Sequence, residues 1–297
     1  MIPEGTALAA PRQVLARGRG IHGGALVVEG ESSHVRRAVL PAGPMLPAAR
    51  AGALSMMQDD DVRMDDLASL IRADPGLTLV LLRAANSAAS ASRRRIEDTR
   101  DALVRIGLQA TKRVVAAAVV GAAFKDIGEC GIDEDAFWAH SLAVAVIAES
   151  SVEAHRLRPV AFSAGLLHDV GRLVLGASIP GVYETLSERA RSEPMVLGAE
   201  AALFGEDHAK AGGRLLSIWG VSDEIAATVS RHHEPPSCEL EEALLLARHV
   251  VTQLGYDDGL RCHFEAPPQE VDVVEGTAKS LREKVTWYQS ALHGRAD

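Results

Sequence analysis

Six side chains of metal-ligand or acid–base type punctuate the second half of the chain: His140, the adjacent pair His168 and Asp169, His208, and the adjacent pair His232 and His233. Imidazole nitrogens and carboxylate oxygens suit zinc, iron, manganese or nickel. His168 and Asp169 carry the sharpest signal, because they interrupt the apolar run Gly165-Leu-Leu-His-Asp-Val-Gly171. Burying both groups among leucines is unfavourable unless each finds a partner. A divalent cation would satisfy both. So would a hydrogen-bond network in which Asp169 accepts from His140 or His208. Successive helical residues are turned about 100° apart, so the pair could approach one ion from neighbouring directions while the carboxylate bridges a second. Spacing alone does not bring the six together, and a single buried histidine is more often bonded to backbone.

The elements that must position these groups read as helices. Asp74 before Pro75 predicts an N-cap followed by proline at the first helical position, and the helix should stop near Asn86-Ser87, where side-chain bonds compete with the backbone ladder. A short helix over Asp98–Ile106 ends at Gly107. Leu108 to about Phe124 is apolar on nearly every face, which places it at the centre. Asp133 to about His155 carries His140. Pro159 opens a further helix, read as continuous from Phe162 to Val174, with His168 and Asp169 inside it. Further helices are predicted over Val182–Arg191, Met195–Phe204, His208–Trp219, Asp223–His232 and Leu240–Leu254, with a last one over Gly276–His293 whose Leu281, Val285, Tyr288 and Leu292 share a side. The first 45 residues or so differ: they are Gly/Pro-rich, and Ala25–Val28 with Val35–Leu40 could form a short hairpin. The organisation read from this is an N-terminal extension over 1–45, a helical domain over 46–256, and a C-terminal loop and helix over 257–297.

Composition agrees with an all-α bundle. The 297 residues are 47% apolar but only 4% aromatic, so Leu, Ala, Val and Ile must fill the core. A net charge of −9 does not call for nucleic acid, whose binding needs a basic surface; the dense basic run Arg93, Arg94, Arg95 reads as a solvated turn rather than a phosphate contact. Three scattered cysteines, Cys130, Cys238 and Cys262, argue for a reducing compartment and against a disulfide framework. No apolar run reaches membrane-span length and Met1–Ala10 lacks signal-peptide character, so a cytoplasmic location is expected, without a membrane partner.

The order His140, His168-Asp169, His208, His232-His233 resembles the ligand order of the HD superfamily of metal-dependent phosphohydrolases. The chain is more specifically similar to the HDOD family, the HD-related output domain. The matching pieces are Leu46-Pro47, Asp74-Pro-Gly-Leu-Thr78, Leu81-Leu-Arg-Ala-Ala-Asn-Ser87, Ile106-Gly107, Trp138-Ala-His-Ser141, Gly165-Leu-Leu-His-Asp-Val-Gly171, Gly205-Glu-Asp-His208, Trp219 and His232-His-Glu-Pro235. The resemblance implies a multi-helix HD-type bundle, a role in bacterial signalling, a protein signalling partner or a nucleotide ligand, and for most members no catalysis.

Departures from the enzymes of that superfamily point the same way. The HD set closes with an aspartate on a late helix, whereas Ala243-Leu-Leu-Leu-Ala-Arg-His-Val-Val251 offers Arg248 and His249. Arginine stays protonated and cannot ligate a metal; His249 could substitute. The cyclic-dinucleotide phosphodiesterases of the HD-GYP class use a lysine after the His-Asp pair, where this chain has Arg172, and their Gly-Tyr-Pro signature is replaced by Glu234-Pro-Pro-Ser-Cys-Glu. The expectation is a regulatory protein that acts by binding, needs no cofactor, and keeps a degenerate site that could still hold Fe, Mn, Ni or Zn. The alternative is a metal-dependent phosphohydrolase acting on a nucleotide or cyclic dinucleotide, with Asp169 and Arg172 as its catalytic candidates.

Overall fold

The computed structural model describes residues 43–58, 61–87, 95–124, 127–190, 192–260 and 275–293. The N-terminal hairpin, Arg93, Arg94 and Cys262 lie outside them. The described residues form helices and no strand: α1 (Ala48–Gln58), α2 (Met64–Arg72), α3 (Pro75–Ser87), α4 (Thr99–Ile106), α5 (Leu108–Ala123), α6 (Glu134–Ser151), α7 (Arg158–Leu167), α8 (Val170–Gly176), α9 (Val182–Arg189), α10 (Glu193–Phe204), α11 (His208–Ile218), α12 (Asp223–Arg231), α13 (Glu239–Gln253) and α14 (Glu275–His293). None of these helices is long and apolar enough to cross a membrane.

Local chemistry sets the boundaries. Asp74 Oδ1 accepts from Gly76 N at 2.8 Å and Leu77 N at 3.2 Å, so the Asp-Pro start of α3 is a side-chain cap. At the other end Asn86 Nδ2 donates to the Leu82 carbonyl at 2.8 Å and the Ile96 carbonyl at 2.9 Å, while Asn86 Oδ1 accepts from Ile96 N at 2.9 Å. One amide thus closes α3 and pins the approach to α4. Asp98 caps α4 and Gly107 ends it at a positive φ of 84° that a side chain would disfavour.

The predicted centrality of α5 holds: Val114 to Val120 are all buried. The helix carrying His140 is shorter than read from sequence. It ends at Ser151, with His155 in a separate 3-10 turn (His155–Leu157). A larger difference lies at the His-Asp pair. The continuous helix expected across Phe162–Val174 is broken, and His168 and Asp169 form the junction between α7 and α8. Asp169 sits at φ −98° and ψ 6°, in the bridge region where many active-site residues lie. An apolar helix with two buried polar groups reads as continuous by periodicity, yet the break frees carbonyls that the buried imidazole then uses.

Two glycines bring the neighbouring helices close to that junction. A Cβ on Gly165 would stand 2.6 Å from Ala145 Cα of α6, and one on Gly171 would stand 1.8 Å from the His208 carbonyl oxygen of α11. Their absent side chains let α6 press on α7 and α11 press on α8, which draws His140 and His208 toward the His-Asp pair. α14 packs on α3, α5 and α6 and buries Leu281, Val285 and Tyr288.

Candidate metal centre

The six sequence candidates converge. His140, His168 and Asp169 form one triad and His208, His232 and His233 another, and within each the ligand-type atoms lie within 4.8 Å of one another. His140 comes from the middle of α6, His208 opens α11, and His232-His233 follow the last turn of α12. The rings touch in series: His140–His168, His168–His232 and His208–His232 centroids are each 5.3 Å apart. Asp169 lies between the triads. Its Oδ2 is 3.3 Å from His168 Nε2, while its Oδ1 is 3.2 Å from His208 Nε2 and 3.5 Å from His232 Nε2.

Four rings are oriented by the same device. His168 Nδ1 donates to the Gly165 carbonyl at 2.8 Å, and His232 Nδ1 donates to the Val229 carbonyl at 2.7 Å. Each uses a carbonyl of the last helical turn three residues back; that of Val229 also receives the His232 N–H at 3.5 Å. His140 Nδ1 donates to the Tyr256 carbonyl at 3.1 Å, and His208 Nδ1 to Glu200 Oε2 at 2.7 Å. In His140, His168 and His232 an acceptor on Nδ1 assigns the single proton to that nitrogen and turns the Nε2 lone pair inward, whereas His208 holds a second proton on Nε2. This outward anchoring by carbonyl or carboxylate is the arrangement that orients metal-binding histidines.

Inside the ring of histidines, acceptors therefore face acceptors. His168 Nε2, His232 Nε2 and Asp169 Oδ1 are buried and lack a hydrogen-bond partner. Separations of 3.2 to 3.5 Å between these nitrogens and the Asp169 oxygens suit ligand atoms about 2.0–2.1 Å from a shared ion, which at tetrahedral angles stand about 3.4 Å apart. The donor set fits a divalent cation: His140, His168 and Asp169 would hold one, and His208, His232 and His233 with the second Asp169 oxygen would face another. Such an ion, when bound, would polarise a coordinated oxygen and acidify a bound water.

The charges agree with that fit. Burial pushes the Asp169 carboxyl up, but Arg172 and His168 outweigh it and hold it well below the usual range. Burial lowers His140 to about 4, helped by the charge of His168, and drives His232 and His233 down as well, so these rings are neutral ligands at pH 7. His208 differs. Burial opposes its charge, but Glu200 overcomes the penalty and raises it to about 9. Glu200 is itself fully buried; His208 N donates to it at 2.9 Å and the Tyr183 hydroxyl at 2.9 Å.

Arg172 and Arg248 do not fill the centre. Arg172 Nη1 forms an ion pair with Asp169 Oδ2 at 3.1 Å and donates to Asp258 Oδ2 at 2.7 Å. Arg248 Nη1 donates to the His232 carbonyl at 2.8 Å and Nη2 to Glu193 Oε1 at 2.5 Å, with His233 Nδ1 at 3.3 Å. Arg248, which cannot ligate a metal, stands where the sequence resemblance places the closing aspartate. In the fold Arg248 lies behind the His232-His233 turn, its charge is matched by Glu193, and it steadies the two rings from outside. His249, the alternative ligand, is half-buried and belongs to neither triad. Four carboxylates (Asp169, Glu193, Glu200, Asp258) stand against two guanidiniums (Arg172, Arg248) and the His208 imidazolium, leaving one negative charge, which becomes two when a divalent cation displaces the His208 Nε2 proton.

Sequence reasoning missed Glu193, Glu200, Tyr183 and Asp258. Glu200 had a signal: it shares the buried face of α10 with Val196 and Phe204 at four-residue spacing, and a carboxylate on an apolar stripe demands a partner. Asp258 and Glu193 had none, because both reach the centre only through the fold.

A helical bundle folded round five histidines and the aspartate between them defines a His-Asp-centred domain. The chain belongs to the HDOD domain family, whose family model matches residues 44–235. Among solved structures it is similar to a Shewanella amazonensis SB2B protein provisionally named a phosphohydrolase, with 25% identity, TM-score 0.63, and 84% of this chain and 94% of that one covered. It also shares the fold of a Marinobacter aquaeolei VT8 protein provisionally named for signal transduction, at 22% identity and TM-score 0.64, covering 84% of this chain and 58% of that one. An uncharacterized protein of Treponema pallidum (strain Nichols) is 24% identical over 210 residues, which is 69% of this chain and 40% of that relative's length.

Proposed function

We propose that this chain is a bacterial regulatory protein of signal transduction that acts by binding a protein partner or small ligand, and that its six-residue centre holds a divalent metal without turning over substrate. The observation that carries this reading is the closure of the centre. His168 and His208 are 0% exposed, Arg172 1%, Asp169 2%, and His140 and His232 5%. A hydrolytic site must admit a phosphoester and a water to the ion, and of the six ligands only His233, its side chain 10% exposed, reaches the surface. The donor atoms instead suit an ion that ties α6, α8, α11 and the end of α12 into one unit, whose occupancy would bias the packing of the bundle.

One observation favours the phosphohydrolase alternative: the two oxygens of Asp169 face different triads, the arrangement of a carboxylate bridging two ions. The same preparation tests both readings. The purified protein is assayed for Fe, Mn, Ni and Zn, then for hydrolysis of nucleotides and cyclic dinucleotides with each ion added. The expected result is bound metal, no turnover, and loss of metal with weakened folding in the double variant His168→Ala, Asp169→Ala. A nucleotide-specific rate that disappears in that variant would instead establish the enzyme. Protein that binds none of these ions would end both metal readings.

A further inference from the structure

Residues 254–260 cross the centre after α13 and are fastened at three points, two of them on the centre and one at the start of α6. The Tyr256 carbonyl accepts from His140 Nδ1 at 3.1 Å, Asp258 Oδ2 accepts from Arg172 Nη1 at 2.7 Å, and the Gly259 carbonyl accepts from Asp133 N at 2.8 Å. Internal bonds stiffen the segment: Asp257 Oδ1 accepts from Gly259 N at 2.8 Å and Asp258 Oδ1 from Leu260 N at 3.1 Å. Leu260 is buried beneath it.

Of these fastenings, Asp258 is unusual. Its side chain keeps 19% exposure while its partner Arg172 keeps 2%. Arg172 is the largest fully buried side chain among the described residues, and its Nε has no partner. A guanidinium offers five N–H donors in a planar fork. Here both carboxylates crowd onto a single nitrogen, Nη1. The fork is only partly used, by an anion that reaches in from the surface on a loop.

We propose that Asp258 is an internal anion latching this strap to Arg172, and that a small tetrahedral oxyanion, free or as the phosphate group of a ligand, takes its place. A tetrahedral oxyanion can bridge the two Nη donors at the end of the fork, which Asp258, held on Nη1, does not. Displacing Asp258 lifts the strap. Tyr256, two residues away, moves with it and takes its carbonyl from His140, so an anion at Arg172 is coupled to a ligand of the first triad. This last arm rests on the metal reading above; the exchange of anions at Arg172 does not.

Hydrogen exchange over residues 254–260, followed by mass spectrometry with and without inorganic phosphate, tests the latch in the unaltered protein. Phosphate should speed exchange of the Tyr256, Gly259 and Leu260 amides and leave α5 unchanged. Asp258→Asn should exchange fast without phosphate and bind phosphate at least about tenfold more tightly by calorimetry, because the internal competitor is gone. Asp258→Glu should behave as the unaltered chain, and adding Arg172→Met to Asp258→Asn should abolish the gain. Unchanged strap exchange under saturating phosphate overturns the proposal, as does a folded Asp258→Asn that gains no affinity or keeps its gain without Arg172. If Asp258→Asn does not fold, the phosphate titration of the unaltered protein decides alone. For the coupled arm, Co²⁺ loaded into the protein should leave to a chelator several-fold faster with phosphate present. A chain that takes up no Co²⁺ ends the metal reading, while the exchange and phosphate results still judge the latch.

Discussion

His208 Nε2 lies 2.9 Å from His233 Nε2. Two ring nitrogens this close need one proton or one metal ion between them. Burial opposes a charge on His208, but Glu200 raises it to about 9, whereas burial and its charged neighbours push His233 down. In the metal-free protein His208 is therefore the imidazolium, donating Nδ1–H to Glu200 and Nε2–H to His233. A metal ion at this triad must displace that Nε2 proton. Metal uptake is expected to release a proton below pH 9, and apparent affinity should rise by about tenfold per pH unit between pH 7 and 9. Calorimetry in buffers of different ionisation enthalpy reads the proton count directly; uptake with no buffer dependence would place the metal elsewhere.

The same groups set the acid and alkaline limits of the metal-free fold. His208 moves from 6.5 up to about 9 on folding, so its contribution is fully present below pH 6.5 and is lost as pH rises through 9. His140 moves from 6.5 down to about 4, so its contribution is present above pH 6.5 and is lost as pH falls through 4. Denaturant unfolding of metal-free protein should give a stability maximum near pH 6.5. Bound metal should flatten the alkaline limb, because it replaces the proton on His208 that titrates there.

Glu200 holds His208 by ring and backbone and receives the Tyr183 hydroxyl. Glu200→Ala leaves these donors buried without an acceptor, and the expected loss is about 3–5 kcal/mol, as for other buried pairs cut on one side. Glu200→Gln keeps an acceptor but removes the charge. It should lower metal affinity about 10–100-fold, as other changes to residues that orient a ligand do, and bring the His208 pKa down. Imidazole NMR of His208 and a metal competition assay check the two effects; a Glu200→Gln protein with unaltered His208 titration would contradict the assignment.

These residues also mark what the sequence could reveal. The helices were legible because Asp74-Pro75, Asn86 and Gly107 act within a turn of their own position, and the six ligand-type residues because polar groups in apolar runs demand partners. The break at His168-Asp169 was not, since periodicity continues across it and the tertiary contacts that favour it come from α6 and α11. The direction of Arg248 was hidden for a similar reason: its partner Glu193 is 55 residues away. The strap was invisible, because Asp257-Asp258-Gly259 reads as an ordinary polar turn until Arg172 and His140 are found beneath it.

Gly171, beside the His-Asp pair, and Gly198, on α10, predict opposite outcomes. Gly171→Ala would put a methyl 1.8 Å from the His208 carbonyl oxygen and 2.6 Å from Gly212 N, both backbone atoms that cannot swing aside. α8 and α11 must separate, at a cost of about 3 kcal/mol or more, and His208 moves away from Asp169. Gly198, on the exposed side of α10, has nothing within 4 Å of an added Cβ. Gly198→Ala should stabilise the protein by about 0.5–1 kcal/mol through helix propensity alone. Chemical denaturation of the two variants, with metal content measured on each, separates the effects: Gly171→Ala should lose both stability and metal, Gly198→Ala neither. A Gly171→Ala protein that keeps full metal content would show that the α8–α11 contact does not set the geometry of the centre.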